Sequence, residues 1–282
     1  MRKIAFTKME GCGNDYVYLD GFSKDLRLTE ADIPALARAI SDRHYGVGSD
    51  GLVLILPPAS PDRADIRMRM FNADGSEGKM CGNAIRCVGK YLWDSRAVRE
   101  TTLTVETLSG VKTLTLRTNG AAVSSVSVDM GYAEFAPEKI PVLSGGKMIG
   151  SEITAGGMRA RVTALSVGNP HAVVFCGDIA SLDLEKIGSA FEHHPLFPER
   201  VNTEFVRIIS RTEIEMRVWE RGSGETWACG TGACAAVCAA VENSFCDAET
   251  DVRVRLRVGA DRRITMEGDA VRVYDGIYDF RG

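Results

Sequence analysis

Residues 222–237, GSGETWACGTGACAAV, place a cysteine between a glycine-rich turn and a run of small apolar residues that reads as a helix. The chain does the same thing once before, at 80–88, MCGNAIRCV. Aligning Cys229 on Cys81 also brings 213–219 (EIEMRVW) onto 65–71 (DIRMRMF) without a gap, so that an acidic residue, Ile, Met, Arg and an aromatic recur in place. Gly168-Asn169 likewise answers Gly13-Asn14. The two cysteine segments lie 148 residues apart in a chain of 282. The repeat is therefore a duplicated domain, since solenoid units recur every 20–50 residues or so.

A length of 282 residues fits about two domains. A composition 45% hydrophobic and 26% charged is that of a chain able to bury a sizeable core. The net charge of −4 and the lack of a basic run give no support to nucleic-acid binding, which needs concentrated positive charge. The opening MRKIAFTKMEGCGNDY has no apolar signal core, and no window approaches the ~20 apolar residues of a membrane span. A cytoplasmic protein without a membrane partner is expected, and its eight cysteines are expected to be reduced. Cys229, Cys234 and Cys238 contain no C-x-x-C pair, and His44, His171, His193 and His194 form no ligand pair on a helical face, so no metal is expected.

Periodicity organises each half in the same way. In the first, IAFTKM (4–9), DYVYLD (15–20), GLVLIL (51–56) and DIRMRMF (65–71) read as strands. A helix is expected over 30–41 with Thr29 as its cap. Ala84, Ile85, Val88 and Leu92 form an apolar helical stripe after Cys81. TLTVETL, KTLTLR and VSSVSVDM, split by Ser-Gly and Asn-Gly turns, predict an antiparallel meander. The second half offers HAVVF, TEFVRII and EIEMRVW as strands, a helix near 183–192, and a small-residue helix after Cys229. DVRVRLRV, RRITME and AVRVYDGIYDF close the chain as strands. The expected class is α+β (mixed α/β): two pseudo-symmetric lobes, each a mixed sheet wrapped around a central helix, facing across a cleft. The lobes are assigned to 1–130 and 131–274, the first completed by the last strand, about 275–282.

A cysteine at the first turn of a helix feels the positive end of the helix dipole, which favours thiolate. The residues that follow, Gly82-Asn83 and Gly230-Thr231, expose backbone N–H groups suited to a carboxylate. Two such helix ends suit one reaction class. Inverting a stereocentre by proton transfer needs a base on one face and an acid on the other, with roles that swap in reverse. Charge developing at the carbon would pass into the adjacent carboxylate, which the N–H donors stabilise. No cofactor fingerprint is present, and none is expected. A duplicated structural cysteine beside a copied turn explains the same pattern without chemistry.

Further segments carry a family resemblance. KMEGCGNDY (8–16), DRHYGVGSDG (42–51), FNADGSEGKMCGNAIRC (71–87), VGNPHAVVF (167–175), ERVNTEFV (199–206) and WERGSGETWACGTGAC (219–234) together resemble the diaminopimelate epimerase family. The likeness spans nearly the whole chain in order, and the two cysteine segments are its most specific parts. It implies a cofactor-independent homodimeric isomerase that interconverts LL- and meso-diaminopimelate, in lysine and peptidoglycan precursor synthesis. By the same resemblance Cys81 and Cys229 are the acid/base pair. Gly82, Asn83, Gly230 and Thr231 hold the reacting carboxylate, and Glu220 the ammonium. Asn14, Asn72, Asn169, Asn202 and Arg221 take the distal amino-acid end, where an Arg suits a carboxylate. Asn14 and Asn169 also fit as turn residues, and His171 fits equally as a support for the site or as a satisfied histidine beside a turn.

Three positions depart from the family pattern. Glu10 replaces its usual histidine, Ala84 its usual glycine, and Gly51 stands where some members have glutamine. Glu10 is the one that bears on substrate, because an inward-facing carboxylate would repel an anion. Racemases of other small amino acids on the same architecture would keep both cysteines and lose the distal asparagines and Arg221. A non-catalytic amino-acid-binding protein would have no need of either thiol.

Overall fold

The computed structural model describes residues 2–227, 229–252 and 254–281. The chain divides into two compact units, Met1–Asp129 with Glu267–Gly282, and Met130–Met266. The first contains β1 (Arg2–Gly11), β2 (Asn14–Asp20), α1 (Asp32–Ser41), β3 (Gly51–Leu56), β4 (Ile66–Asn72), β5 (Glu77–Gly78), α2 (Gly82–Asp94), β6 (Thr102–Thr107), β7 (Gly110–Asn119) and β8 (Ala122–Tyr132). The second contains β9 (Ser151–Ala155), β10 (Met158–Ser166), β11 (Pro170–Phe175), α3 (Leu184–Glu192), β12 (Asn202–Ser210), β13 (Glu213–Glu220), β14 (Gly224–Thr226), α4 (Gly230–Glu242), β15 (Glu249–Val252), β16 (Val254–Val258) and β17 (Arg263–Gly268). The last strand, β18 (Val271–Phe280), returns to the first unit.

In the first unit β18 runs antiparallel to β1 from Arg2↔Phe280 to Glu10↔Val271. Then β1 pairs antiparallel with β2, β2 parallel with β3, β3 antiparallel with β4, β4 parallel with β6, and β6 antiparallel with β7. The second unit repeats those directions step for step along β9, β10, β11, β12, β13, β15 and β16. The expected α+β class with two pseudo-symmetric mixed sheets is therefore present in the pairing itself. β18 does for β1 what β9 does for β10, although it comes from the opposite end of its unit.

Each sheet wraps one buried helix. α2 packs against β1, β2, β7 and β18, and α4 against β10, β11, β12, β13, β15 and β16. The stripe Ala84, Ile85, Val88 and Leu92 is fully buried. In α4 the run from Gly232 to Ala240 is buried on every side, which its small side chains allow. β2 shows why the sheet needs a second layer: Val17 and Leu19 join Leu36 and Ile40 of α1 in one core. Tyr16 and Tyr18 alternate to the other face, where the Tyr18 hydroxyl reaches the Ala84 carbonyl of α2 at 3.3 Å. In the second unit α3 plays the part of α1, placing Phe191 edge-on to Phe205.

Three details differ from the sequence reading. Thr29 does not cap α1 by accepting; its N–H and O–H both donate to Asp32, each at 2.8 Å, because the carboxylate is the stronger acceptor. DVRVRLRV is divided between β15 and β16, which pair with one another, and Arg253 lies outside the described residues. Strands β5, β9, β10 and β14 were not foreseen.

Gly51, one of the departures from the family pattern, is fixed by packing. A Cβ there would overlap the Phe71 carbonyl oxygen and lie 2.8 Å from Cε1 of Tyr16. Glutamine would need a shift of β4. Gly51→Ala is expected to destabilise the chain by about 1–3 kcal/mol in denaturant unfolding, and an unchanged midpoint would contradict the close approach.

Candidate active site

In each unit a short hairpin, β4–β5 or β13–β14, delivers a cysteine in extended conformation to the N-cap of the buried helix. Cys81 has φ −128° and ψ 123°, and its sulfur accepts from the Ala84 N–H at 3.5 Å. Cys229 has φ −123° and ψ 109°, and its sulfur accepts from the Gly232 N–H at 3.3 Å. The sulfur occupies the place of the usual hydroxyl or carboxylate cap. Gly82-Asn83 and Gly230-Thr231 form the first helical positions, whose amides have no partner inside the helix.

Around Cys81 the first unit brings together Asn14, Tyr16 and a charged network. The Cys81 thiol donates to Asn14 Oδ1 at 3.2 Å, and Asn14 Nδ2 donates to Asp50 at 2.7 Å. Arg43 bridges Asp50 and Asp15, at 2.9 and 2.8 Å, and buried Lys8 pairs with Asp15. Burial, and then the neighbouring Cys81 and Asp50, push the Tyr16 phenol up, so it stays a neutral hydroxyl. Glu10 turns its carboxylate onto its own hairpin, accepting from the Gly13 N–H at 2.9 Å. The turn puts Cys12 at φ 56°, where its sulfur accepts from Arg86 at 3.3 Å. Asn72 is exposed and holds Ser76 Oγ at 3.0 Å.

Around Cys229 the second unit gathers Asn169, His171, Thr231, Glu220 and Glu204. Asn169 Nδ2 donates to Thr231 Oγ1 at 3.3 Å, and Thr231 Oγ1 lies 3.5 Å from the sulfur. His171 is fully buried between Asn169 Oδ1 at 2.9 Å and Glu204 Oε1 at 2.8 Å. Glu220 is held by the Thr226 hydroxyl at 2.5 Å. Asn202 is bound at both ends, donating to the Pro170 carbonyl at 2.8 Å and accepting from the Arg221 N–H at 3.0 Å. The Arg221 guanidinium meets the Glu199 carbonyl at 3.1 Å and is otherwise exposed. Trp227 is 87% exposed, next to the turn that carries the sulfur.

Sequence reasoning missed Glu204, Arg86 and Tyr16. The first two are charged residues inside apolar runs, TEFVRII and AIRCV, and that position was the available signal. Arg86 is fully buried and holds the Gly82 carbonyl at 3.2 Å and the Asp269 carbonyl at 3.1 Å. A Cβ on Gly232 would lie 2.8 Å from Glu204 Oε1, so the glycine admits the carboxyl that the equivalent Ala84 position does not face. The expectation of a thiolate is reversed at Cys229. Burial pushes that thiol well up, Glu220 and then an ionised Glu204 act the same way, and the Thr231 and Gly232 donors oppose them. Among the described residues no group of three His, Cys, Asp or Glu could hold a metal ion.

Two copies of one strand order each present a thiol as the cap of a buried helix. The model of the diaminopimelate epimerase family matches residues 6–136 and 163–280, and the chain belongs to that family. It is 51% identical to the diaminopimelate epimerase of Desulfovibrio desulfuricans, with 98% of each chain covered. It is 47% identical to that of Acetivibrio thermocellus, covering 98% of this chain and 99% of that one. In fold it matches the Bacillus anthracis phenazine biosynthesis protein of the PhzF family, with a TM-score of 0.69 and 18% identity over 98% of this chain and 99% of that one.

Because the Cys229 thiol is pushed up, it stays protonated through neutral pH and its alkylation rises only above the ordinary thiol range. Glu220→Gln removes the largest charge acting on it, so the alkylation profile of Cys229 is expected to move to lower pH. Each unit of that shift gives about tenfold more thiolate below the pKa, readable by mass spectrometry of the labelled peptide. A profile that stays in place would remove Glu220 as the source.

Proposed function

We propose that the chain is a cofactor-independent epimerase interconverting LL-2,6-diaminopimelate and meso-diaminopimelate, with Cys81 and Cys229 as its two acid/base groups. The observation that carries this reading is the repeated thiol cap: the same residue type, in the same backbone conformation, on the same helical position of both units. One cysteine, as thiolate, takes the α-proton, and the electron pair left on the carbon passes into the α-carboxylate. The other cysteine, as thiol, delivers its proton to the opposite face, so the two sulfurs exchange protonation states in each turnover. Gly82, Asn83, Gly230 and Thr231 hold the reacting carboxylate, where first-turn amides stabilise the charge as it develops. Glu220 takes the ammonium of the reacting centre. Asn14, Asn72, Asn169, Asn202 and Arg221 are assigned to the distal amino-acid end, Asn202 acting through the Arg221 backbone that it holds.

The reaction belongs to lysine and peptidoglycan precursor synthesis, and we place the protein in the cytoplasm as a homodimer. Free thiols at Cys12, Cys87, Cys176, Cys229, Cys238 and Cys246 support the first assignment. Val273 and Ile277 of β18, 54% and 68% exposed, support the second, and Ile277→Asp is expected to lower the mass measured by light scattering to that of one chain.

The reduced protein, incubated with LL-diaminopimelate in D2O without added cofactor, is expected to yield meso isomer carrying one deuterium at the inverted carbon. Absence of both isomerisation and exchange, with the thiols shown to be reduced, would overturn the substrate. Cys81→Ala and Cys229→Ala should each lose turnover while at most one still exchanges the α-proton of one isomer; full turnover by either removes the two-base scheme.

A further inference from the structure

The hydrogen-bond directions around Cys229 follow from one fixed point. An asparagine Oδ1 can only accept, so its 2.9 Å contact with His171 requires a hydrogen on Nε2. With that hydrogen in place, the 2.8 Å contact between Nδ1 and Glu204 Oε1 must hold another. Either an imidazolium faces a carboxylate, or a carboxylic acid donates to a neutral ring. The two descriptions differ only in where one proton sits, and in both the pair has no net charge. An ionised Glu204 beside a neutral ring would instead leave a net charge where both side chains have 0% exposure. Its Oε2 has no hydrogen-bond partner among the described residues, a burial that a charged oxygen tolerates badly and a neutral carbonyl tolerates better. Burial also pushes the Glu204 carboxyl up, against the opposing pull of His171.

From that pair the directions run outward. Asn169 has its Oδ1 engaged by His171, so it presents its NH2 to Thr231 Oγ1 at 3.3 Å. The Thr231 oxygen therefore accepts, and its own hydrogen is left for the Cys229 sulfur at 3.5 Å. The Gly232 N–H, at 3.3 Å, is the second donor to that sulfur.

We propose that His171 and Glu204 share one proton as an electrically neutral pair and, through Asn169 and Thr231, aim a hydroxyl hydrogen at the Cys229 sulfur. Glu204 and His171 are thus positioning residues: the sulfur meets two donors whenever it becomes a thiolate, and neither residue touches a reacting atom. The titratable groups set against Cys229 are Glu220 from β13 and Glu204 from β12, and those set against Glu204 are His171 from β11 and Glu220. With the pair neutral, Glu220 is the full negative charge of that set. The significance of the relay rests on the two-cysteine reading above, but its test uses the free protein and needs no turnover, so the two can fail separately.

Reduced protein labelled with 15N-histidine, with His171 assigned by comparison with His171→Phe, is expected to show a hydrogen on Nε2 throughout about pH 6 to 9, because the Asn169 oxygen it meets can only accept. A bare Nε2 would overturn the proposal. Glu204→Gln keeps the pair neutral, so the pH profile of Cys229 alkylation should stay with that of the parent. A downward move equal to that of Glu220→Gln would reveal an ionised Glu204 and sink the idea. Thr231→Val should move the profile to higher pH by removing the hydroxyl donor, and an unmoved profile would break the last link. If Glu204→Gln does not fold, the nitrogen signals of the parent protein still decide the matter.

Discussion

Everything in the two units depends on satisfying the N-terminus of a buried helix with a sulfur atom. A helix end taken out of water must find acceptors for its first amides, and a thiol is a weak one. Here it serves for the third amide at 3.5 and 3.3 Å. A hydroxyl or carboxylate cap would be the stronger acceptor. The sheets wrap the helices closely because the helices cannot drift: residues 82–89 of α2 and 232–240 of α4 are buried on all sides. Rigid placement of the sulfur and burial of the helix are one condition seen from two directions.

Duplication kept the backbone of that arrangement and changed what surrounds it. Cys81 is served by Asn14, which is anchored through Asp50 to the exposed guanidinium of Arg43, and Arg43 in turn shares Asp15 with the buried Lys8. Cys229 is served by Asn169, anchored through His171 to a carboxyl without any exposure. The third helical position follows suit, alanine where no carboxyl approaches and glycine where Glu204 does. The equivalent sulfurs therefore sit in different electrostatic surroundings, one wired to a solvent-facing ion network and the other to a dry pair.

The duplicated frame was legible in the sequence because it is carried by residue spacing: the strand before each cysteine, the turn, and the apolar stripe after it. The Thr29 cap failed because Asp32, three residues on, takes the Thr29 hydroxyl as a donor to its own full charge. β9 and β10 were overlooked because SEITA and MRARVTALS lie beyond the connection where the repeat was last visible. In the site, Asn14, Thr231 and Glu220, named by motif, lie beside the sulfurs, whereas Glu204, Arg86 and Tyr16 sit within the same segments without a spacing that assigns them a role. Glu204 belongs to TEFVRII, where period-2 reasoning assigns a face but not a partner, and its histidine stands 33 positions away. Asn202, bound at both ends to backbone, shows the same limit from the other side.

The return of β18 to β1 has a consequence for how the chain is made. The second unit is continuous, and its first edge pair, β9 with β10, is complete as soon as residue 166 exists. The first unit has to wait for residues 271–280 before the outer edge of β1 is covered. During synthesis from the N-terminus that edge offers an open row of backbone donors and acceptors while almost the whole chain is still being added. A long wait therefore falls on β1, whose outer neighbour is made only after the whole of the second unit.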